Sequence, residues 1–141
     1  DPSMNFFDVS LDGDELRGAD FTYSVSDETL DAIGDRTDLR FGIRPEDVTL
    51  STGAADGDHD FETVVDVVEP MGDENNVYLT FNGASDDETF VANISGMQHV
   101  ESGQPIVAHI PEVAIHVFDR KSGNALRNRT LDNVEELHVQ L

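Results

Sequence analysis

The chain has 141 residues, 38% of them apolar, and sets eight lysines and arginines against thirty aspartates and glutamates, for a formal net charge of −22. That is the size of one ordinary domain with enough apolar residues to enclose a core. The charge excludes recognition of a nucleic-acid backbone or an anionic membrane surface, which both need exposed Lys and Arg, and the lack of cysteine excludes disulfides, thiolate catalysis and zinc–thiolate sites.

The opening Asp1-Pro2-Ser3-Met4 has neither a basic region nor an apolar signal segment and reads as the start of an excised fragment. A turn follows at Leu11-Asp12-Gly13-Asp14. The one helical stretch runs from Asp27 to Ile33, with Ser26 as its cap, Leu30 and Ile33 on one face and Gly34 as its stop. Residues 40–44 form a strand candidate that ends at Pro45, because proline cannot donate to a ladder. Ser51 to Asp60, rich in Gly, Ala and Asp, reads as a loop inside one domain.

Phe61 to Val68 is a β-branched run suited to a strand partly covered on its second side. Period-two alternation then marks strands at 77–81, 90–94, 106–110 and 115–118, with turns at Asp56-Gly57-Asp58, Phe81-Asn82-Gly83 and Ser122-Gly123-Asn124. Many short strands at close spacing predict an all-β chain: one domain, in one lobe or two, built as a small barrel with one short helix. The tail from Asn128, with Val134, Leu137, Val139 and Leu141, fits either a last strand or a short docked helix. No apolar run nears the ~20 residues that span a bilayer.

Little in the sequence carries chemistry. Asp56, Asp58 and Asp60 have the first spacings of a calcium loop, but Phe61 and Val67 stand where its Gly and Glu belong. The histidines at 59, 99, 109, 116 and 138 lack zinc spacing, and His109 and His116 fall on the polar sides of their strands, as surface residues do. No phosphate-binding glycine loop and no nucleophile elbow is present. Arg40 and Arg44, which alternation turns to one side, are the one close arginine pair for an anion site, against the acidic background. A salt-adapted source explains that background: screening shortens the reach of self-repulsion to ~3 Å at molar ionic strength.

Four ordered stretches resemble the end of the ATPase subunit of maltose-type and glycerol-phosphate-type ABC importers. They are Pro2-Ser3-Met4-Asn5-Phe6-Phe7; Phe41-Gly42-Ile43-Arg44-Pro45-Glu46-Asp47-Val48; Val68-Glu69-Pro70-Met71-Gly72-Asp73-Glu74 with Val77-Tyr78-Leu79; and Ile115-His116-Val117-Phe118-Asp119 with Ser122-Gly123-Asn124-Ala125-Leu126. The resemblance implies a C-terminal regulatory domain of the TOBE type with an OB-like barrel, from a haloarchaeal source. Its motif residues are Gly42, Arg44, Pro45, Glu46, Glu69, Pro70, Gly72, Glu74, His116, Phe118 and Asp119, in structural or regulatory roles.

The resemblance further implies a non-catalytic module that joins two parent subunits as a homodimer, with Phe6, Phe7 and Phe118 as candidate contacts. It needs no cofactor of its own, ATP and Mg belonging to the nucleotide-binding domain, which also meets the permease subunits. The expected place is the cytoplasmic face of the cell membrane, peripheral and without insertion. The alternative is a module that senses a small sugar or oxyanion. Two departures stand out: more acidic surroundings, and a tail beyond the usual closing segment.

Overall fold

A computed structural model describes residues 4–82 and 89–129. Eleven strands run β1 Asn5–Asp12, β2 Glu15–Arg17, β3 Thr22–Ser24, β4 Asp38–Ile43, β5 Thr49–Ser51, β6 Asp60–Met71, β7 Glu74–Phe81, β8 Phe90–Ser95, β9 Pro105–His109, β10 His116–Asp119 and β11 Ala125–Arg127, with one α-helix, α1 Asp27–Ile33. The all-β expectation holds. Contacts divide the chain into two compact units, Asp1–Asn5 with Arg44–Ile110, and Phe6–Ile43 with Pro111–Leu141.

The first unit holds the five-stranded sheet β5-β9-β6-β7-β8, whose pairs are all antiparallel. Alternation decides its faces: Val77, Leu79 and Phe81 turn inward from β7, and Phe90, Ala92 and Ile94 from β8. A bulge between Val65 and Val67 resets the register of β6, so that Val65 is buried while Val67 is 49% exposed. Phe81 stacks on Phe90 with ring centroids 4.8 Å apart. At the outer edge of β8 the amide of Asn5 stands in for a strand, donating to the Val91 carbonyl at 2.8 Å and accepting the Val91 N–H at 2.9 Å.

The second unit holds the six-stranded sheet β11-β10-β4-β1-β2-β3 and α1. Phe41 of β4 centres its aromatic core, with Tyr23, Phe21 and Phe7 at ring centroids 4.9, 5.7 and 6.1 Å. Phe7, one of the candidate contacts, thus packs in this cluster and is half-buried. The helix has the predicted bounds, with Ser26 as N-cap accepting the Thr29 N–H and Gly34 closing it at φ 70°. Its buried pair is Thr29 and Ile33, and Leu30 is only half-buried.

Strand β4 ends at Ile43, and Arg44, still in extended backbone, leads into the 3₁₀ turn Pro45–Asp47. Tail residues 130–141 lie outside the described residues, as do positions 83–88 with the glycine of the predicted 81–83 turn.

Candidate functional site

The motif residues fall into both units. In the second, Gly42 of β4 pairs with His116 of β10, and Phe41, Arg40 and Leu39 continue the register opposite Val117, Phe118 and Asp119. His116, expected at the surface, is 5% exposed. It stacks nearly parallel to Phe118 at 6.2 Å, its Nδ1 lies 3.3 Å from Asn128 Oδ1, and the residue across the ladder is a glycine, which has no side chain to compete for space.

Asp119 builds the turn that follows. Its side chain accepts the Ser122 hydroxyl at 3.0 Å and the Lys121 N–H at 3.3 Å, and its backbone carbonyl accepts the Gly123 N–H at 2.7 Å, with Gly123 at φ 79°. The closing signature thus codes a strand and its turn.

One face of this sheet is only partly covered. Phe6 of β1 is 50% exposed and meets Phe118 edge to face at 5.9 Å. Arg40 lies over the Phe6 ring, 5.8 Å from its centroid, and donates from Nε to Asp8 Oδ1 at 3.3 Å. Arg120 Nε approaches the same oxygen at 3.7 Å. Arg40 is therefore grouped with Arg120 through Asp8. A cleft of about 210 Å³ opens here, lined by Phe6, Arg40, Phe118, Asp119, Arg120 and Gly123.

Glu112, which no motif marked, organises the helix end. Its Oε2 accepts from the Ser26 N–H at 3.0 Å, the Ser26 hydroxyl at 2.7 Å and the Thr29 hydroxyl, and its carbonyl accepts from Arg127 Nη2 at 2.6 Å. Burial, then the negative charge of Glu112, pushes the phenol of the buried Tyr23 far above its usual range, with Arg127 opposing.

In the first unit, Glu69, Pro70, Gly72 and Glu74 sit on the β6–β7 hairpin. Pro70 pairs with Asn75 and Met71 with Glu74, leaving Gly72 and Asp73 as a two-residue turn with Gly72 at the expected positive φ, 68°. Tyr78 donates to Glu69 at 3.2 Å, and the Glu69 charge raises its phenol pKa. Pro45 opens the 3₁₀ turn that contains Glu46.

Asp60, from the acidic loop, accepts the Gly57 N–H at 2.9 Å and lies 2.6 Å from His109 Nδ1, two contacts that hold its carboxyl below the usual range, the Gly57 bond being the larger cause. Among the described residues no three His, Asp or Glu side chains are placed to hold a metal ion.

Comparison with known proteins gives these parts a context. Residues 41–118 match the TOBE domain family and residues 1–48 the MalK OB fold domain. The chain is 45% identical over 131 residues to the xylose/arabinose import ATP-binding protein XacK of Haloferax volcanii, covering 93% of this chain and 34% of that one. It is 40% identical over 84 residues to the sn-glycerol-3-phosphate import ATP-binding protein UgpC 2 of Rhizobium johnstonii, covering 58% and 23%. With the trehalose/maltose import ATP-binding protein MalK of Thermococcus litoralis it shares 28% over 133 residues, covering 89% and 35%. The chain thus spans about a third of XacK and of MalK. Among solved structures, the cytoplasmic molybdate-binding protein ModG, with molybdate bound, is similar at a TM-score of 0.59 and 12% identity, covering 80% of this chain and 94% of that one, a likeness of fold.

Proposed function

The chain belongs to the TOBE domain family and its relatives include import ATP-binding proteins for xylose/arabinose, sn-glycerol 3-phosphate and trehalose/maltose, and from that premise we propose that it is the non-catalytic regulatory and dimerisation domain of an ATP-hydrolysing subunit that drives carbohydrate import. The parent protein binds ATP and Mg and meets its permease subunits through a separate nucleotide-binding domain, at the cytoplasmic face of the membrane. This domain joins two such subunits and carries the control. The source is salt-adapted, in line with the charge of −22 and the similarity to a Haloferax protein.

The observation that carries the reading is the match of 93% of this chain to only a third of an import ATP-binding protein, by a sequence with no phosphate-binding glycine loop of its own. The motif residues His116, Asp119, Gly72 and Pro45 support it by building strand ends and turns, as a scaffold requires and a catalytic site does not.

Light scattering on the 141-residue chain in molar KCl, over a wide concentration range, tests the dimer. A mass rising to twice the monomer is expected. A strict monomer at every concentration would overturn dimerisation through this domain. In the parent protein, deleting the domain should leave ATP binding intact and remove control of import; loss of ATP binding would overturn the division of labour.

A further inference from the structure

We infer that the partly covered face of the six-stranded sheet binds a phosphorylated sugar, its phosphate held by Arg40 and Arg120 and its ring against Phe6. Both guanidinium groups approach one oxygen, Asp8 Oδ1, and both do so through Nε, at 3.3 and 3.7 Å. A single carboxylate between two cations leaves one positive charge in excess, in a chain whose net charge is −22. Neither guanidinium makes a further hydrogen bond among the described residues, and the two side chains are 48% and 44% exposed. Their Nη groups, the fork that grips phosphate with two parallel bonds, are open to a ligand.

The surroundings set the rest of the ligand. The cleft of about 210 Å³ leaves room for a phosphate and the adjoining part of a sugar ring. The exposed half of Phe6 offers an apolar platform to the C–H face of such a ring. Asp119 also lines the cleft, but its carboxylate is held by Ser122 and the Lys121 N–H and lies 3.8 Å from Arg36, so it adds little uncompensated charge. Long-range repulsion from the acidic surface is cut to a ~3 Å reach in molar salt, so contact-range groups decide what binds.

Side-chain NMR tests the site on the nitrogen-labelled chain in molar KCl, titrated separately with glucose 6-phosphate, inorganic phosphate and glucose. Expected are saturable shifts at the Nε–H groups of Arg40 and Arg120, tightest for glucose 6-phosphate, weaker for phosphate and absent for glucose. Arg40→Gln and Arg120→Gln, with backbone amide spectra confirming the fold, each weaken binding about tenfold, the loss of one charge-assisted contact. Arg40→Lys keeps the charge and loses the fork, so it too weakens binding. Phe6→Leu weakens glucose 6-phosphate and spares inorganic phosphate.

No saturable shift, or unchanged shifts in the double Arg→Gln variant, overturns the site and leaves the arginines as structural partners of Asp8. Equal affinity for inorganic phosphate and glucose 6-phosphate overturns the sugar assignment. Titration at concentrations where light scattering shows monomer reads the arginine Nε–H groups, and the scattering itself reads mass, so failure of the site and failure of dimerisation are distinguishable.

Discussion

Glu112 and Ser26 are joined by two hydrogen bonds across 86 residues of chain, the carboxylate taking both the N–H and the hydroxyl of the helix N-cap. In a local capping box the acid that satisfies the N-cap N–H comes from three residues later; here that position is Thr29, and its hydroxyl also bonds Glu112. The distant acid completes the cap and adds negative charge at the positive end of the helix. Glu112→Ala should cost about 1–3 kcal/mol, since it leaves several donors without their acceptor. Urea denaturation in molar KCl measures it, and a loss confined to surface-mutation size would show that water replaces the carboxylate at no cost.

The hairpin turn at Gly72 and Asp73 is locked from outside. The Asp73 carbonyl accepts the Gly96 N–H at 2.8 Å, and a Cβ on Gly96 would lie 2.8 Å from that same oxygen. Gly72→Ala forces a side chain into left-handed backbone, at a cost of about 1 kcal/mol or somewhat more. Gly96→Ala displaces backbone, at a cost of about 1–3 kcal/mol. Because Asp73 adjoins one glycine and bonds the other, the double variant should not be additive. Denaturation midpoints of the three variants check this.

Much of this was readable before folding, and the boundary is physical. Helix α1 was legible to the residue because Ser26 and Gly34 act locally. In strand β1 Phe7, Val9 and Leu11 alternate with Asp8, Ser10 and Asp12, but Phe6 beside Phe7 breaks the period at its start and blurs the signal. Strands β2, β3, β5 and β11 have three residues each, too few to show a period, and exist because neighbours pair with them, as Leu16 does with Tyr23. Alternation put His116 on a polar, exposed side, because it carries no sign of the Phe118 ring and Asn128 that bury it. Glu112 has no local signal, and Asp8 gathers its two arginines from β4 and the turn after β10.

The two tyrosines should titrate apart. Tyr78 is held above the ordinary 10.0 by the charge of Glu69, and Tyr23 much further by burial and by Glu112. A phenol with a raised folded pKa binds its proton more tightly in the native state, so its stabilising effect is full below 10.0 and lost as pH rises through the folded value. Phenolate absorbance should show Tyr78 ionising first, above pH 10.0, and Tyr23 only together with alkaline unfolding. Glu69→Gln should bring the first step down toward 10.0. A single combined step below unfolding would contradict the burial of Tyr23.

Asp60 gives the opposite slope. Its folded pKa is depressed below 3.8, first by the Gly57 N–H and then by His109. Its contribution is therefore present above pH 3.8 and lost as pH falls through the depressed value. Carboxyl NMR should place its midpoint below 3.8. His109→Ala should recover only part of the shift, because the backbone bond remains. Full recovery in that variant would assign the effect to the histidine alone.

Salt should act unequally on the two units. Among the described residues eleven acidic side chains lie in the unit of β5 to β9 and twelve in the unit of α1, yet of the eight basic residues Arg44 is the sole member in the former, the other seven lying in the latter. The described ion pairs of Arg17, Arg36, Arg40, Arg120 and Arg127 are all in the latter, whereas those described in the former use His99 and His109. Raising KCl from a tenth molar to molar shortens screening from ~10 to ~3 Å, relieving like-charge repulsion in the first unit while weakening exposed pairs in the second. Amide exchange should therefore slow more at Val77 and Leu79 than at Phe41 and Val117. Equal slowing at both sets would mean that salt stabilises through general apolar burial, which takes no account of where the arginines lie.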